Sequence, residues 1–194
     1  KSAGRGASGT AKNTATANVL IGLNAGCKIT TGGCNTFVVT DAGRCGTSGS
    51  YNAGFGFEAL CKPVTAQYNA AFGFRAGKGD SNGSSGSRNV FFGALSGCDN
   101  TNGSDSVFIG ESSAKENQGG DGNTFVGRMT GACSTNDAHC WNTYIGCGAG
   151  KKQVTGKRNI AIGCGAGSRQ TSSTHNTSIG RAAGFGNCTG SGNV

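Results

Sequence analysis

The residues able to do chemistry are ten cysteines, two histidines and nine carboxylates in 194 residues. Zinc would need thiolate and imidazole ligands at short spacings such as Cys-x-x-Cys. No such pair occurs, and His139 and His175 belong to different segments. A cysteine nucleophile needs an oriented imidazole in a cleft. Cys140 with His139 or His175 brings no orienting third group. The acids, among them Asp41, Glu58, Asp105 and Glu111, show neither calcium-roll spacing nor a glycosidase pair. Gly146-Cys147-Gly148-Ala149-Gly150 has the glycines of a dinucleotide loop but not its downstream acid. We assign no catalytic, cofactor-binding or metal-binding residue, and the chain reads as a non-enzyme.

A repeat positions the cysteines. The phrase Asn-Thr-Phe-Ile-Gly-x-x-Ala-Gly recurs ten times, from Asn18, Asn35, Asn52, Asn69, Asn89, Ser106, Asn123, Asn142, Asn159 and Asn176. Spacings are 17 residues, except 20 from Asn69 and 19 from Asn123. Such a period marks stacked supersecondary units. The array runs over 1–194 as one domain, with a partial coil over 1–17 and a further coil opening at Asn193-Val194. Neither end has the character of a cap, so we expect a window on a longer chain.

Composition narrows the class. Gly is 38 residues and Pro only one, which excludes collagen. No apolar run reaches the length of a membrane span. Ten cysteines point to an oxidising location or a virion surface. Net charge is +8, with Lys and Arg concentrated in the variable half of each coil. This favours solubility and attraction to anionic surface glycans. Nucleic acid is disfavoured, because no stacking aromatics interleave with these charges.

Numbering each coil from its Asn gives the expected architecture. Position 4 holds Ile21, Val38, Phe55, Phe72, Phe92, Ile109, Val126, Ile145, Ile162 and Ile179. All are β-branched or aromatic, so positions 2–4 predict a strand. We take positions 2 and 4 as its interior face and the position-4 column as the structural core. A second strand is expected near position 13, at Thr30, Thr47 and Val64. Glycines at positions 5 and 9 mark tight corners. The whole predicts an all-β parallel solenoid or β-roll, with rungs about 4.8 Å apart. Asn18, Asn35, Asn52, Asn69, Asn89, Asn123, Asn142, Asn159 and Asn176 predict an internal amide ladder.

Position 3 then points outward. It carries Leu20, Phe37, Phe91, Phe108, Phe125 and Tyr144. An exposed stripe of this kind predicts a homo-oligomer. A trimer is the simplest closed arrangement, with a filament as its rival. Stacking also places cysteines together. Cys147 and Cys164 share position 6 of adjacent coils, within disulfide reach. Cys27 with Cys45, and Cys133 with Cys140, are further candidate pairs. Cys61 and Cys98 lie two coils apart and are candidates for interchain bonds or free thiols.

The phrase Asn142-Thr143-Tyr144-Ile145-Gly146-Cys147-Gly148-Ala149-Gly150 resembles the Gly/Ala-rich repeats of phage tail fibres, particularly those of marine phages and algal viruses. It is also similar to the head repeats of trimeric autotransporter adhesins. The resemblance spans the whole chain. It implies a left-handed, homotrimeric roll within an extracellular, cell-surface or virion fibre that supports adhesion or host attachment. The coil here is longer than the adhesin repeat and richer in cysteine. An alternative expectation is an ice- or glycan-binding solenoid, although its Thr residues at position 2 are irregular.

Overall fold

A computed structural model describes residues 14–80, 83–133, 139–186 and 189–194. Most of the partial coil over 1–17 therefore lies outside the described residues. Ten strands form one parallel sheet in chain order: β1 (Val19–Ile21), β2 (Thr36–Val38), β3 (Ala53–Phe55), β4 (Ala70–Phe72), β5 (Val90–Phe92), β6 (Val107–Ile109), β7 (Thr124–Val126), β8 (Thr143–Ile145), β9 (Ile160–Ile162) and β10 (Thr177–Ile179). The chain is an all-β parallel solenoid, one strand per coil. Like residues sit over like, as with Ile145 on Ile162. The 20-residue coil still pairs Ala70 with Val90, and the 19-residue coil pairs Thr124 with Thr143. Their extra residues leave the strand register unchanged.

The expected second strand near position 13 does not form among the described residues. That side is still tied coil to coil: Thr30 N–H donates to Thr47 O (2.9 Å) and Val154 N–H to Thr171 O (2.9 Å). The N–H groups of Thr30, Thr31 and Gly32 all converge on Thr47 O (2.9, 3.2 and 3.3 Å), so the evenly spaced bonds of a parallel ladder do not form.

The Asn column has two jobs. Asn142 Nδ2 donates to Gly156 O (2.9 Å), which closes its own coil. Its Oδ1 accepts the Asn159 N–H of the next coil (2.9 Å). Asn35, Asn52, Asn89 and Asn159 repeat both bonds. Ser106 is too short to close its coil. Asn123 reaches back instead, donating to Gly120 O (3.1 Å) of the serine's coil as well as to His139 O (3.0 Å) of its own.

The inside and outside of the strand are the reverse of the expectation. Position 3 is the interior: Phe37, Phe91, Phe108, Phe125 and Tyr144 are buried, and Leu20 packs against them. Their rings form a column, with centroids 5.2 Å apart for Phe108–Phe125 and 4.8 Å for Phe125–Tyr144. These residues are not an oligomer surface. Position 4, expected to be the core, faces out. Ile21, Phe72, Phe92, Ile109, Ile145 and Ile179 are exposed, and Val38, Phe55, Val126 and Ile162 are half-buried. Adjacent residues state the difference: Phe91 is 2% exposed and Phe92 56%.

The cause is volume. A narrow coil has room for one ring over its small residues at positions 8 and 9. A Cβ on Gly150 would lie 2.3 Å from the Tyr144 ring, and one on Gly43 2.3 Å from the Phe37 ring. Where position 3 is Gly54, position 9 is Leu60, which is buried and fills the space of the missing ring. Position 5 is set differently, by the neighbouring rung. A Cβ on Gly110 (φ +125°) would lie 2.5 Å from Gly127 O.

Candidate interaction surfaces

The outward face of the sheet carries most of the exposed large hydrophobic side chains among the described residues. Positions 2 and 4 alternate with the buried column, so both sets project from one side. Val19, Ile21, Val90, Phe92, Ile145 and Ile160 are all exposed. Leu23, Phe57 and Phe74, at position 6, extend the apolar strip past the strand. Its rings stack coil on coil, with centroids 4.8 Å apart for Phe55–Phe72 and 5.8 Å for both Phe72–Phe92 and Phe57–Phe74. Over ten rungs the strip runs about 45 Å, given about 4.8 Å per rung. The strand covers positions 2–4, about 7 Å of extended chain, because position 5 turns away with positive φ, as at Gly110 (125°). The strip is then about 300 Å², within the range of the largest patches on monomer surfaces, and at position 6 it gives way to Glu111, Arg128 and Arg181 in later coils.

The cysteines form groups along the stack. Cys27, Cys34, Cys45, Cys61, Cys98, Cys133, Cys147 and Cys164 are free thiols. Cys147 and Cys164 are exposed on adjacent rungs, and Gly165 N–H donates to Cys147 O (2.9 Å) beside them. Cys27, Cys45 and Cys61 follow one another on three coils, and Cys45 N–H donates to Cys61 O (2.7 Å). Burial, then the neighbouring Cys45, pushes Cys61 up to about 11. Burial, then Asp99, pushes Cys98 up to about 11. Both of these are buried, which leaves no route to an interchain bond. Cys133 and Cys140 flank residues 134–138, which lie outside the described residues.

Two further ladders repeat at the coil period. Position 12 carries Asn100, Asn117, Gln153 and Gln170, all buried, with Asn117 Nδ2 donating to Asn100 Oδ1 (3.1 Å). His139 lies in the same interior, its Nε2 against Asn117 Oδ1, rather than in a cleft with Cys140. Position 17 is an exposed column: Tyr51 stacks on Tyr68 at 4.9 Å, and Arg158 lies over Trp141 at 5.2 Å. Its members adopt left-handed φ, as at Trp141 (57°). Both columns could have been read from the sequence at spacings of 17 and 19. Among the described residues no group of three His, Cys, Asp or Glu could hold a metal ion, and no helix is long and apolar enough to cross a membrane. The residues with reactive side chains are distributed by the repeat and do not converge. No protein-family model matches the chain, and neither a curated protein nor a solved structure is significantly similar to it.

Proposed function

We propose that this chain is a structural shaft segment of an extracellular, cell-surface or virion fibre, built from copies packed through the outward sheet face. The carrying observation is the outward strip of positions 2 and 4 along the stack, widened at position 6 by Leu23, Phe57 and Phe74. A second copy is the occupant that matches it. Any copy presents the same rung period, so the side chains of positions 2 and 4 can interdigitate rung for rung. Their area, about 300 Å² per copy, is under half of the roughly 800 Å² per partner of a standard interface, so flanking surface such as Leu23, Phe57 and Phe74 joins the contact. A threefold bundle closes such a strip on an axis, which is the homotrimer of the fibre and adhesin repeats that the sequence resembles. In an oxidising location the exposed Cys147 and Cys164 form a brace between rungs. The fibre carries adhesion or attachment on surfaces or domains held along it.

Sedimentation velocity and electron microscopy test this reading. The expected result is a rod of uniform length made of three chains. The variant Phe72→Ser/Phe92→Ser/Ile109→Ser is expected to sediment as a folded monomer. A wild-type chain that stays monomeric at high concentration would overturn it.

One observation speaks for an ice-binding solenoid: Thr36, Thr124, Thr143 and Thr177 lie on the outward face. Aromatic neighbours and Ala53, Ala70 and Val107 interrupt that array. A thermal-hysteresis assay decides it, and the shaft reading expects none.

A further inference from the structure

The net charge of the coils is concentrated on one corner. Positions 10 and 11 follow the turn at positions 5–9, off the sheet face. They carry eight cations and two carboxylates, Asp99 and Glu116. Elsewhere in residues 14–194 the described residues carry six cations and six carboxylates. Away from the corner, three of the six cations are neutralised between rungs: Arg75 Nε meets Glu58 at 2.7 Å, Arg128 Nε meets Glu111 at 3.0 Å, and Arg88 pairs with Asp105, while Lys157, Arg158 and Arg181 make no ion pair among the described residues. On the corner, Arg44 and Lys78 have distant partners, at 3.9 Å from Asp41 and 3.6 Å from Glu58. Lys28, Lys62, Lys115, Lys151 and Lys152 make no ion pair among the described residues.

The corner is tied rung to rung. Lys28 N–H donates to Arg44 O (3.2 Å) and Lys62 N–H to Lys78 O (3.0 Å). Lys28, Arg44, Lys62 and Lys78 therefore occupy four successive rungs, about 4.8 Å apart per rung. Asp99, Glu116 and the uncharged Ala132-Cys133 interrupt the file before Lys151, Lys152 and Arg169 resume it over two more rungs. Lys28, Lys62, Lys151 and Lys152 stay without an ion pair among the described residues, whereas Arg75, Arg88 and Arg128 are paired. Such a file suits a ligand that is itself linear and periodic.

We propose that this ridge is a docking track for a linear anionic polysaccharide, whose carboxylate or sulfate groups meet Lys28, Arg44, Lys62 and Lys78 on four successive rungs and Lys151, Lys152 and Arg169 on a second stretch of two. One rung is close to the length of one sugar residue, so a glycan charged at every sugar or every second sugar keeps step with the ridge. Duplex DNA carries a charge about every 1.7 Å of axis and would outrun it. Single-stranded nucleic acid would want aromatic platforms among the lysines, and Lys28, Lys62 and Lys151 have none on their own rungs at positions 10 and 11. The proposal rests on the shaft reading only through the stacking of the coils, since the ridge and the apolar strip are separate surfaces.

The test uses the full chain on immobilised heparin at about 0.15 M salt. Retention is expected to fall steeply with added salt, as counterion release requires. Lys151→Glu/Lys152→Glu is expected to weaken binding at least about tenfold. The off-ridge variant Lys157→Glu/Arg158→Glu changes net charge equally and is expected to stay within about twofold of wild type. Restoring charge with Lys151→Arg/Lys152→Arg is expected to preserve binding. Equal losses in the two Glu variants would show diffuse attraction and overturn the track. So would no retention, or tighter binding to duplex DNA than to heparin. Rod length by electron microscopy, unchanged in both variants, separates failure of the ridge from failure of the shaft.

Discussion

Phe91 and Phe92 offer a direct test of which strand face is interior. They are neighbours of identical chemistry in β5, one 2% exposed and the other 56%. A phenylalanine side chain carries on the order of 200 Å² of surface. At about 25 cal/mol per Å², burial of Phe91 contributes about 5 kcal/mol, and the covered part of Phe92 about 2 kcal/mol. Phe91→Ala also leaves a cavity above Gly97, whose Cβ position lies 2.3 Å from the ring. We therefore expect Phe91→Ala to cost about 3–5 kcal/mol, or on the order of 10 °C in a chain of this size. Thermal unfolding followed by circular dichroism at low concentration reads this loss in the dissociated chain. Phe92→Ala is expected to cost less than half as much there. Its larger effect should appear in association, as a weaker oligomer by sedimentation velocity. A Phe92→Ala variant less stable than Phe91→Ala at low concentration would refute the inward placement of position 3 and the interface drawn from it.

Three further outcomes follow from named residues. Val39 is the only non-glycine at position 5 of the ten coils and holds φ 91° while 45% exposed; Val39→Gly relieves strain of about 1–3 kcal/mol against a glycine entropy cost of about 0.5–1, so thermal unfolding should rise by a few degrees. Asn142→Ala removes the acceptor of Asn159 N–H and the donor to Gly156 O; a loss of about 2–4 kcal/mol is expected by urea unfolding, with Asn142→Ser milder because Ser106 Oγ accepts the Asn123 N–H in the same way (3.1 Å). Burial raises Cys61 and Cys98 from 9.0 to about 11, so each favours folding fully below pH 9 and loses that contribution as pH rises through about 11. Reduced protein should label with iodoacetamide first at the exposed Cys147 and Cys164, and at the buried Cys61 and Cys98 only in strongly alkaline solution, together with falling stability.

The repeat, its phase and the strand at positions 2–4 were legible in the sequence because each column obeys a backbone constraint at a constant spacing. The glycines at position 5 are an example, since a Cβ on Gly163 would meet Gly180 O at 2.5 Å. The facing of the strand was misread because uniformity was taken for burial. Position 4 is uniformly β-branched or aromatic, whereas the true interior mixes Phe37, Gly54 and Ala71. The interior can vary because its deficits are filled locally, as Leu60 fills for Gly54. One signal did point the right way. The Asn column was read as internal, and positions 1 and 3 of an extended segment share a face. The polar interior at position 12 is harder to foresee, since Asn117 and Gln153 have the composition of a solvated turn until His139 and their neighbours enclose them. As for the surfaces, the lysine-rich half was visible in the sequence. The pairing of Arg75, Arg88 and Arg128 that isolates the ridge depends on which side chains meet across rungs.

The coils from Asn69 and Asn123 keep the sheet in step despite their added residues. Each rung thus behaves as a graduation on a ruler, indifferent to what is spliced into its far corner. A peptide inserted into the variable half of either coil would be carried at a fixed height along the axis. A whole coil copied or deleted would change that height by one fixed increment and leave the remaining contacts as they were.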